Sequence, residues 1–69
     1  MESNHSLGEN IRRLRCAQGL SQEELATRLS VNRQTVILWE QNILQPSLDN
    51  LRAMTTILQT SFNTLLDGE

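Results

Sequence analysis

Side chains that can form paired hydrogen bonds lie on one face of the segment from residue 32 to 41. If this segment is helical, a rotation of about 100° per residue places five side chains on its outer face: Arg33, Gln34, Ile37, Leu38 and Gln41. The amide of Gln34 can pair with N6 and N7 of adenine, and the guanidinium of Arg33 can pair with guanine or bind a phosphate. The alternatives are a solvated helix surface and, for Arg33, an ion pair with a nearby glutamate. Which of these interpretations applies depends on the helices that position these side chains.

Two short helices joined by a tight turn are predicted between residues 22 and 40. Apolar residues recur at helical spacing in both, and they are Leu25, Ala26 and Leu29 in the first and Val36 and Trp39 in the second. Val31 lies in the turn and can fill the space between the helices. Ala26 is small, as two helices that cross steeply at short range require. Trp39 falls on the inward side with Val36, so we interpret it as a core residue rather than a stacking surface.

A first helix is predicted from about residue 7 to 18. Three apolar residues share one side of it: Leu7, Ile11 and Leu14. Gly19 follows and can adopt the left-handed conformation that ends a helix. Cys16 lies opposite the apolar side and is therefore expected to be exposed.

A fourth and a short fifth helix are predicted after Pro46. The fourth is expected to have an inward stripe of Leu48, Leu51, Met54 and Leu58. The fifth starts at about Ser61 and presents Phe62, Leu65 and Leu66, of which Phe62 is expected to pack inward. No segment alternates with the period of a strand. The predicted fold class is therefore all-α, a compact five-helix domain.

Residues suited to capping helices flank these segments. Ser21 is a good N-cap for the second helix, and Glu24 three residues later completes a capping box. Asn32 is predicted to cap the third helix, and Asn42 to adopt positive φ just after it. Ser47 is predicted to cap the fourth.

The composition limits the chemistry open to this chain. It has 69 residues with one cysteine and one histidine, too few for an internal disulfide or a structural zinc site. No apolar run approaches the ~18 residues that span a membrane, the polar N-terminus is no signal peptide, and no catalytic set is present. Six arginines, no lysines and eight acidic residues give a net charge of −2. Because DNA-binding domains are usually basic, such a role requires cations clustered on one face.

The segment from Gln22 to Glu40 resembles the helix-turn-helix of the lambda-repressor-like (Xre/Cro) DNA-binding family. Where relatives commonly carry R-Q-T-V-S-K-W-E, this chain has R-Q-T-V-I-L-W-E at residues 33–40. The resemblance covers residues 7–66 and implies one helix-turn-helix domain, between a flexible N-terminal tail at 1–6 and a C-terminal tail at 67–69. It also implies that the second helix of the motif lies in the major groove and contacts base edges with its N-terminal residues.

This resemblance implies roles for particular side chains. Base contacts are expected from the helix at about 32–41, through Arg33, Gln34, Ile37 and Leu38. DNA-backbone contacts are expected from Gln22, Asn32, Gln41 and Asn42. For Gln22 a physical reason supports the role, since the free N–H groups at the start of a helix favour a phosphate oxygen.

The function implied is that of a sequence-specific DNA-binding transcriptional regulator, expected to be a repressor. It would bind double-stranded DNA at a palindromic operator as a homodimer, with the dimer contact expected from Leu65 or Leu66 in the fifth helix. A bacterial or phage-encoded cytoplasmic protein is expected, with no cofactor, metal or small-molecule ligand and no enzymatic activity.

Several residues depart from the family pattern. Large apolar residues stand where relatives commonly carry polar or basic ones: Ile37, Leu38, Ile43 and Leu44. Thymine methyl groups can account for one or two of them. The alternative function is a helix-turn-helix fold used for protein–protein interaction through this patch. Ser30, Thr55 and Gln59 replace small residues that suit tight turns and close packing.

Overall fold

Five α-helices and no strand make up residues 6–68, the part of the chain that the computed structural model describes. The helices are α1 (Leu7–Ala17), α2 (Gln22–Leu29), α3 (Arg33–Glu40), α4 (Leu48–Ile57) and α5 (Phe62–Asp67). The predicted all-α, five-helix fold is confirmed. The predicted tail residues 1–5 and Glu69 lie outside the described residues.

Serines begin four of the helices. Each accepts a hydrogen bond from the backbone N–H three residues later: Ser6, Ser21, Ser47 and Ser61. Ser21 Oγ lies 3.0 Å from Glu24 N, and Ser21 N lies 2.8 Å from Glu24 Oε1, so the predicted capping box is confirmed. The backbone hydrogen bond from Ser21 lowers the pKa of the Glu24 carboxyl. Ser6, expected in the flexible tail, instead caps α1 in a second capping box with Glu9.

Residues with positive φ follow all five helices, and Gly68 with φ 79° is the one after α5. Gly19 has φ 71° after α1, and Asn42 has φ 62° after α3, as the sequence predicts. Ser30 ends α2 with φ 59°, and Gln59 follows α4 with φ 54°. Both of these side chains therefore occupy a conformation that favours glycine.

Asn32 precedes α3 but does not cap it with its side chain. Its backbone is extended, and its carbonyl accepts the Thr35 N–H at 3.0 Å, while the side chain makes no capping hydrogen bond. The predicted side-chain cap is wrong. Because the start of α3 is exposed, its free N–H groups can bond to water or to a ligand instead.

All five helices contribute to one apolar core. Its buried members are Ile11, Leu25, Ala26, Leu29, Val36, Trp39, Met54, Leu58 and Leu65. Trp39 is 2% exposed, which confirms it as a core residue. Val31 in the turn packs against this core from the edge, as expected. Burial of these side chains is the main force that holds α3 in place.

Three leucine and phenylalanine positions differ from the predictions. Leu48 and Phe62 were expected inside but are 58% and 37% exposed. Each is the first residue of its helix, and the neighbouring helices cover only the turns that follow. Leu65 was expected at a dimer contact but is fully buried. With six residues, α5 buries one side chain completely, and Leu65 is that residue.

The start of α1 packs directly on the end of α3. A Cβ atom at Gly8 would lie 2.5 Å from the Glu40 carbonyl oxygen and 2.6 Å from that of Trp39. Asn42 reinforces the contact, because its Oδ1 accepts the Gly8 N–H at 2.9 Å and its Nδ2 donates to Ser6 Oγ at 3.0 Å. The position of α3 is therefore fixed against α1 as well as against α2.

A buried amide joins α1 to α5. Asn10 is fully buried, and its Nδ2 donates to the Leu65 carbonyl at 2.9 Å. Its Oδ1 accepts from Arg13 Nη2 at 3.0 Å, so the buried amide is satisfied on both sides.

Candidate nucleic-acid interface

The N-terminal part of α3 presents polar side chains to solvent. Arg33 and Gln34 are exposed, and neither has a hydrogen-bond or ion-pair partner among residues 6–68. The alternative of an Arg33–glutamate ion pair is therefore not seen in this part of the chain. Ile37 and Leu38 are half-buried on the same helix, so they offer apolar surface beside the two polar groups. The structure brings together the side chains predicted to contact bases.

A buried ion pair connects the last residue of α3 to α1. Arg15 Nε lies 2.6 Å from Glu40 Oε2, and Arg15 Nη2 lies 3.2 Å from Glu40 Oε1. Arg15 Nη1 also donates to the Leu20 carbonyl at 2.8 Å. The side-chain hydrogen bond to Glu40 raises the pKa of Arg15 above its ordinary value, so the pair stays charged. It ties α1 to the end of α3 with a fixed, bidentate geometry.

Sequence reasoning missed this ion pair, although a signal for it exists. Arg15 lies four residues after Ile11, and Glu40 lies four residues after Val36. Both charges therefore fall on the inward side of their helices, where an unpaired charge is costly. Two inward charges of opposite sign in one small domain indicate a pair.

Gln22 is held in position by the same ion pair. Its Nε2 donates to Glu40 Oε1 at 3.0 Å, and the side chain is half-buried at the start of α2. One N–H of the amide is thus used internally, and the second is available to a ligand. Gln22 therefore enters the interface with its orientation already set.

The other residues predicted to contact the DNA backbone differ in how much of their side-chain hydrogen-bonding capacity is already used within the domain. Gln41 is exposed and its side chain has no partner among residues 6–68, and the same holds for Asn32. Asn42 already makes two side-chain hydrogen bonds, to Gly8 and Ser6, so a phosphate contact would use its one remaining amide N–H.

A cleft opens between α1, the start of α2 and the end of α3. Its volume is about 410 Å³, and it is lined by Arg12, Arg15, Gln22, Ile37, Glu40 and Gln41. The cleft shares Ile37 with the outer face of α3. It therefore borders the side chains predicted to contact bases.

Apolar residues continue past the end of α3. Ile43 is 69% exposed and Leu44 is 45% exposed in the loop before α4. Among residues 6–68, no group of histidine, cysteine and acidic residues could hold a metal ion. None of the described helices is long and apolar enough to cross a membrane.

A family model and a curated relative match this chain. A model described as helix-turn-helix matches residues 11–65. The HTH-type transcriptional activator BcrR of Enterococcus faecalis is 31% identical over 61 residues. These cover 88% of this chain and 30% of BcrR, so the chain spans less than a third of that relative's length.

Solved structures also match over most of the chain. The P22 c2 repressor in complex with a synthetic operator aligns with a TM-score of 0.86 and 31% identity, covering 94% of this chain and 98% of that one. SinR in complex with DNA aligns at 0.80 with 32% identity, covering 88% and 98%. The restriction-modification controller protein C.AhdI of Aeromonas hydrophila aligns at 0.79 with 35% identity, covering 87% and 91%.

Proposed function

Because the chain belongs to the lambda-repressor-like (Xre/Cro) helix-turn-helix family of DNA-binding transcription regulators, we propose that it represses transcription by binding a palindromic operator as a homodimer. The observation that carries this proposal is that Arg33 and Gln34 are exposed at the start of α3, with no side-chain partner among residues 6–68. Similarity to a repressor bound to its operator supports it further. The site of action would be the cytoplasm of a bacterium, on a chromosomal or phage operator.

Base contacts would come from the outer face of α3. Gln34 would pair with an adenine edge, and Arg33 with a guanine edge or a flanking phosphate. Ile37 and Leu38 would lie against thymine methyl groups, which suits their half-buried, apolar surface. Polar and apolar contacts together would select a short A·T-containing half-site.

Backbone contacts would come from amides around this face. Gln22, Asn32 and Gln41 would donate to phosphate oxygens, and Asn42 would add its remaining N–H. These contacts fix the register of α3 on the duplex without reading sequence. Because Gln22 is oriented by Glu40, it would lose little side-chain freedom on binding.

The dimer contact would come from the exposed side of α5. Phe62 and Leu66 are 37% and 44% exposed and lie four residues apart, on the same side of the helix. The buried Leu65 cannot take part, which leaves Leu66 as the member of the predicted pair that is free. Apolar side chains on one helix suit a two-fold contact, in which the same surface meets itself.

A second candidate function is favoured by one observation. Ile43 and Leu44 are exposed beside Ile37 and Leu38, where a DNA-binding surface would be expected to be basic. Such a patch would suit a protein partner. The chain would then use the same fold as an interaction module.

A mobility-shift assay with selected and random duplexes, at low and at moderate salt, separates the two functions. The wild-type protein should bind the selected duplex far more tightly at both salt concentrations. Gln34→Ala should lose ~1–3 kcal/mol of discrimination at one base position in each half-site, with an unchanged melting temperature. Asn63→Ala, which removes an exposed amide from α5, is the matched control and should discriminate as the wild type does. Equal losses on both duplexes would show that Gln34 does not read sequence, and no binding to either would favour the protein-interaction function.

A further inference from the structure

One positive charge in the cleft between α1, α2 and α3 has no internal partner. Arg12 lines this cleft and is exposed, and its side chain makes no hydrogen bond or ion pair within residues 6–68. The cleft's other two charges, Arg15 and Glu40, form the buried ion pair and cancel. The lining as a whole therefore carries a net charge of one, located on a free guanidinium.

Neutral donors surround that charge. The side-chain amide of Gln41 has no partner in the described part of the chain, and Gln22 has one amide N–H beyond the one that it donates to Glu40. An occupant suited to this lining carries a single negative charge and several acceptor oxygens. A phosphodiester has that chemistry, because its two non-bridging oxygens share one charge.

We propose that this cleft holds one phosphodiester of the DNA backbone, and that Arg12 is its charged donor with Gln41 as a neutral donor beside it. The inference rests on the proposed function and deepens it by assigning a contact to α1. Ile37 lies in both the cleft and the base-reading face, so the phosphate held would flank the bases that α3 contacts. The assignment also explains how a chain of net charge −2 binds a polyanion, since a cation on α1 supplies what the uncharged segment 43–45 lacks.

The first test is the salt dependence of binding to selected and random duplexes. Arg12→Gln should weaken both by a similar three- to tenfold factor per subunit at low salt, and reduce the slope of log K against log salt by about 0.9 per subunit. Arg52→Gln is the matched control, because it makes the same charge change on α4, outside the cleft. An Arg12→Gln slope equal to that of the wild type or of the control would overturn the proposal.

The second test removes the charge from the DNA instead. A set of duplexes, each with one phosphate replaced by a neutral methylphosphonate at a different position, locates the phosphate that is contacted. At that position the wild type should bind the modified duplex more weakly than the unmodified one, whereas Arg12→Gln should bind both equally. Additive losses at every position would overturn the assignment. The proposed function would survive that result if Gln34→Ala still lost discrimination, so the two failures are distinguishable.

Titration with inorganic phosphate tests whether the cleft binds a free anion as tightly as it binds DNA. At constant ionic strength, the amide signals of Gln22 and Gln41 should shift with duplex at micromolar concentration, and with phosphate only at millimolar concentration. Saturation by micromolar phosphate would identify a free-anion site and overturn the assignment to DNA.

Discussion

Gly8 lets the start of α1 pack on the backbone at the end of α3. A Cβ atom there would lie 2.5 Å from the Glu40 carbonyl oxygen and 2.8 Å from Asn42 Oδ1, and neither group is the free end of a flexible chain. The backbone oxygen belongs to α3, and Asn42 is fixed by its own hydrogen bonds. A single missing side chain thus sets the distance between two helices.

Gly8→Ala should therefore destabilise the domain although alanine is the better helix former. Overpacking costs about 1–3 kcal/mol, and the gain in helix propensity offsets up to ~1 kcal/mol of that. Urea unfolding at constant m-value measures the difference in the free energy of unfolding. Cys16→Ala, at an exposed position of the same helix, is the control and should stay within about 0.5 kcal/mol of the wild type. A more stable Gly8→Ala protein would show that α1 can move away from α3 at no cost.

At the scale of helices, the C-terminal ends of α2 and α4 carry a serine and a glutamine in a conformation that favours glycine. Ser30 has φ 59° in the turn between α2 and α3, and Gln59 has φ 54° after α4. Their backbone N–H groups still close the helix ends, Ser30 onto the Thr27 carbonyl at 3.2 Å and Gln59 onto the Thr56 carbonyl at 3.2 Å. The strain is local, so it can be removed locally.

Ser30→Gly and Gln59→Gly should each raise the free energy of unfolding by about 0.5–1 kcal/mol, because glycine adopts positive φ without a Cβ clash. Thermal melting of each variant checks this, and the two gains should add, since the helix ends are separate. Ser47→Gly is the contrasting control. Its φ of −71° is ordinary and its Oγ caps α4, so that variant should lose a few tenths of a kcal/mol. No gain at either position would mean that the left-handed backbone is unstrained here.

The ends of the helices could be predicted from residues close to them in the sequence. The exposure of particular side chains could not, because it depends on how the helices pack against one another. The Ser21–Glu24 capping box and the left-handed Gly19 depend on residues within one turn, and both are as predicted. The exposure of Leu48 and Phe62 depends on which turns the other helices cover, which periodicity does not specify. The support of Gln22 by Glu40 joins residues that are distant in the chain, and it needed the fold to be seen.

At the scale of the whole molecule, the proposed binding to a palindromic operator calls for two copies of this domain. The eight residues of α3 span about 12 Å, much less than the ~34 Å of one DNA turn, so a single α3 would reach one half-site. Two copies related by a two-fold axis would place their α3 helices one turn apart. A dimer contact through the exposed side of α5, with Phe62 and Leu66, would leave α3 free for the duplex.

Leu66→Glu should therefore give a folded monomer with weakened operator binding, because a charge would have to be desolvated in the dimer contact. Sedimentation measures the oligomeric state, and the helical circular dichroism signal verifies folding. Leu44→Glu, the same substitution at a leucine of similar exposure, is the matched control and should remain dimeric. If Leu44→Glu or Leu38→Glu gives monomers while Leu66→Glu stays dimeric, the apolar patch formed by Ile37, Leu38, Ile43 and Leu44 is the protein interface. That result would favour the protein-interaction function over DNA binding.

The hydrogen bond from Asn10 to the Leu65 carbonyl also bears on biosynthesis, because it joins residues 55 positions apart. A ribosome that adds ~5–20 residues per second makes the amide about 3–11 s before the carbonyl that receives it. Throughout that interval the nascent chain lacks the buried Leu65, so the apolar side of α1 has no α5 to cover it. The domain therefore closes only after α5 has been translated. Until then its unfinished core is a substrate for chaperones and proteases.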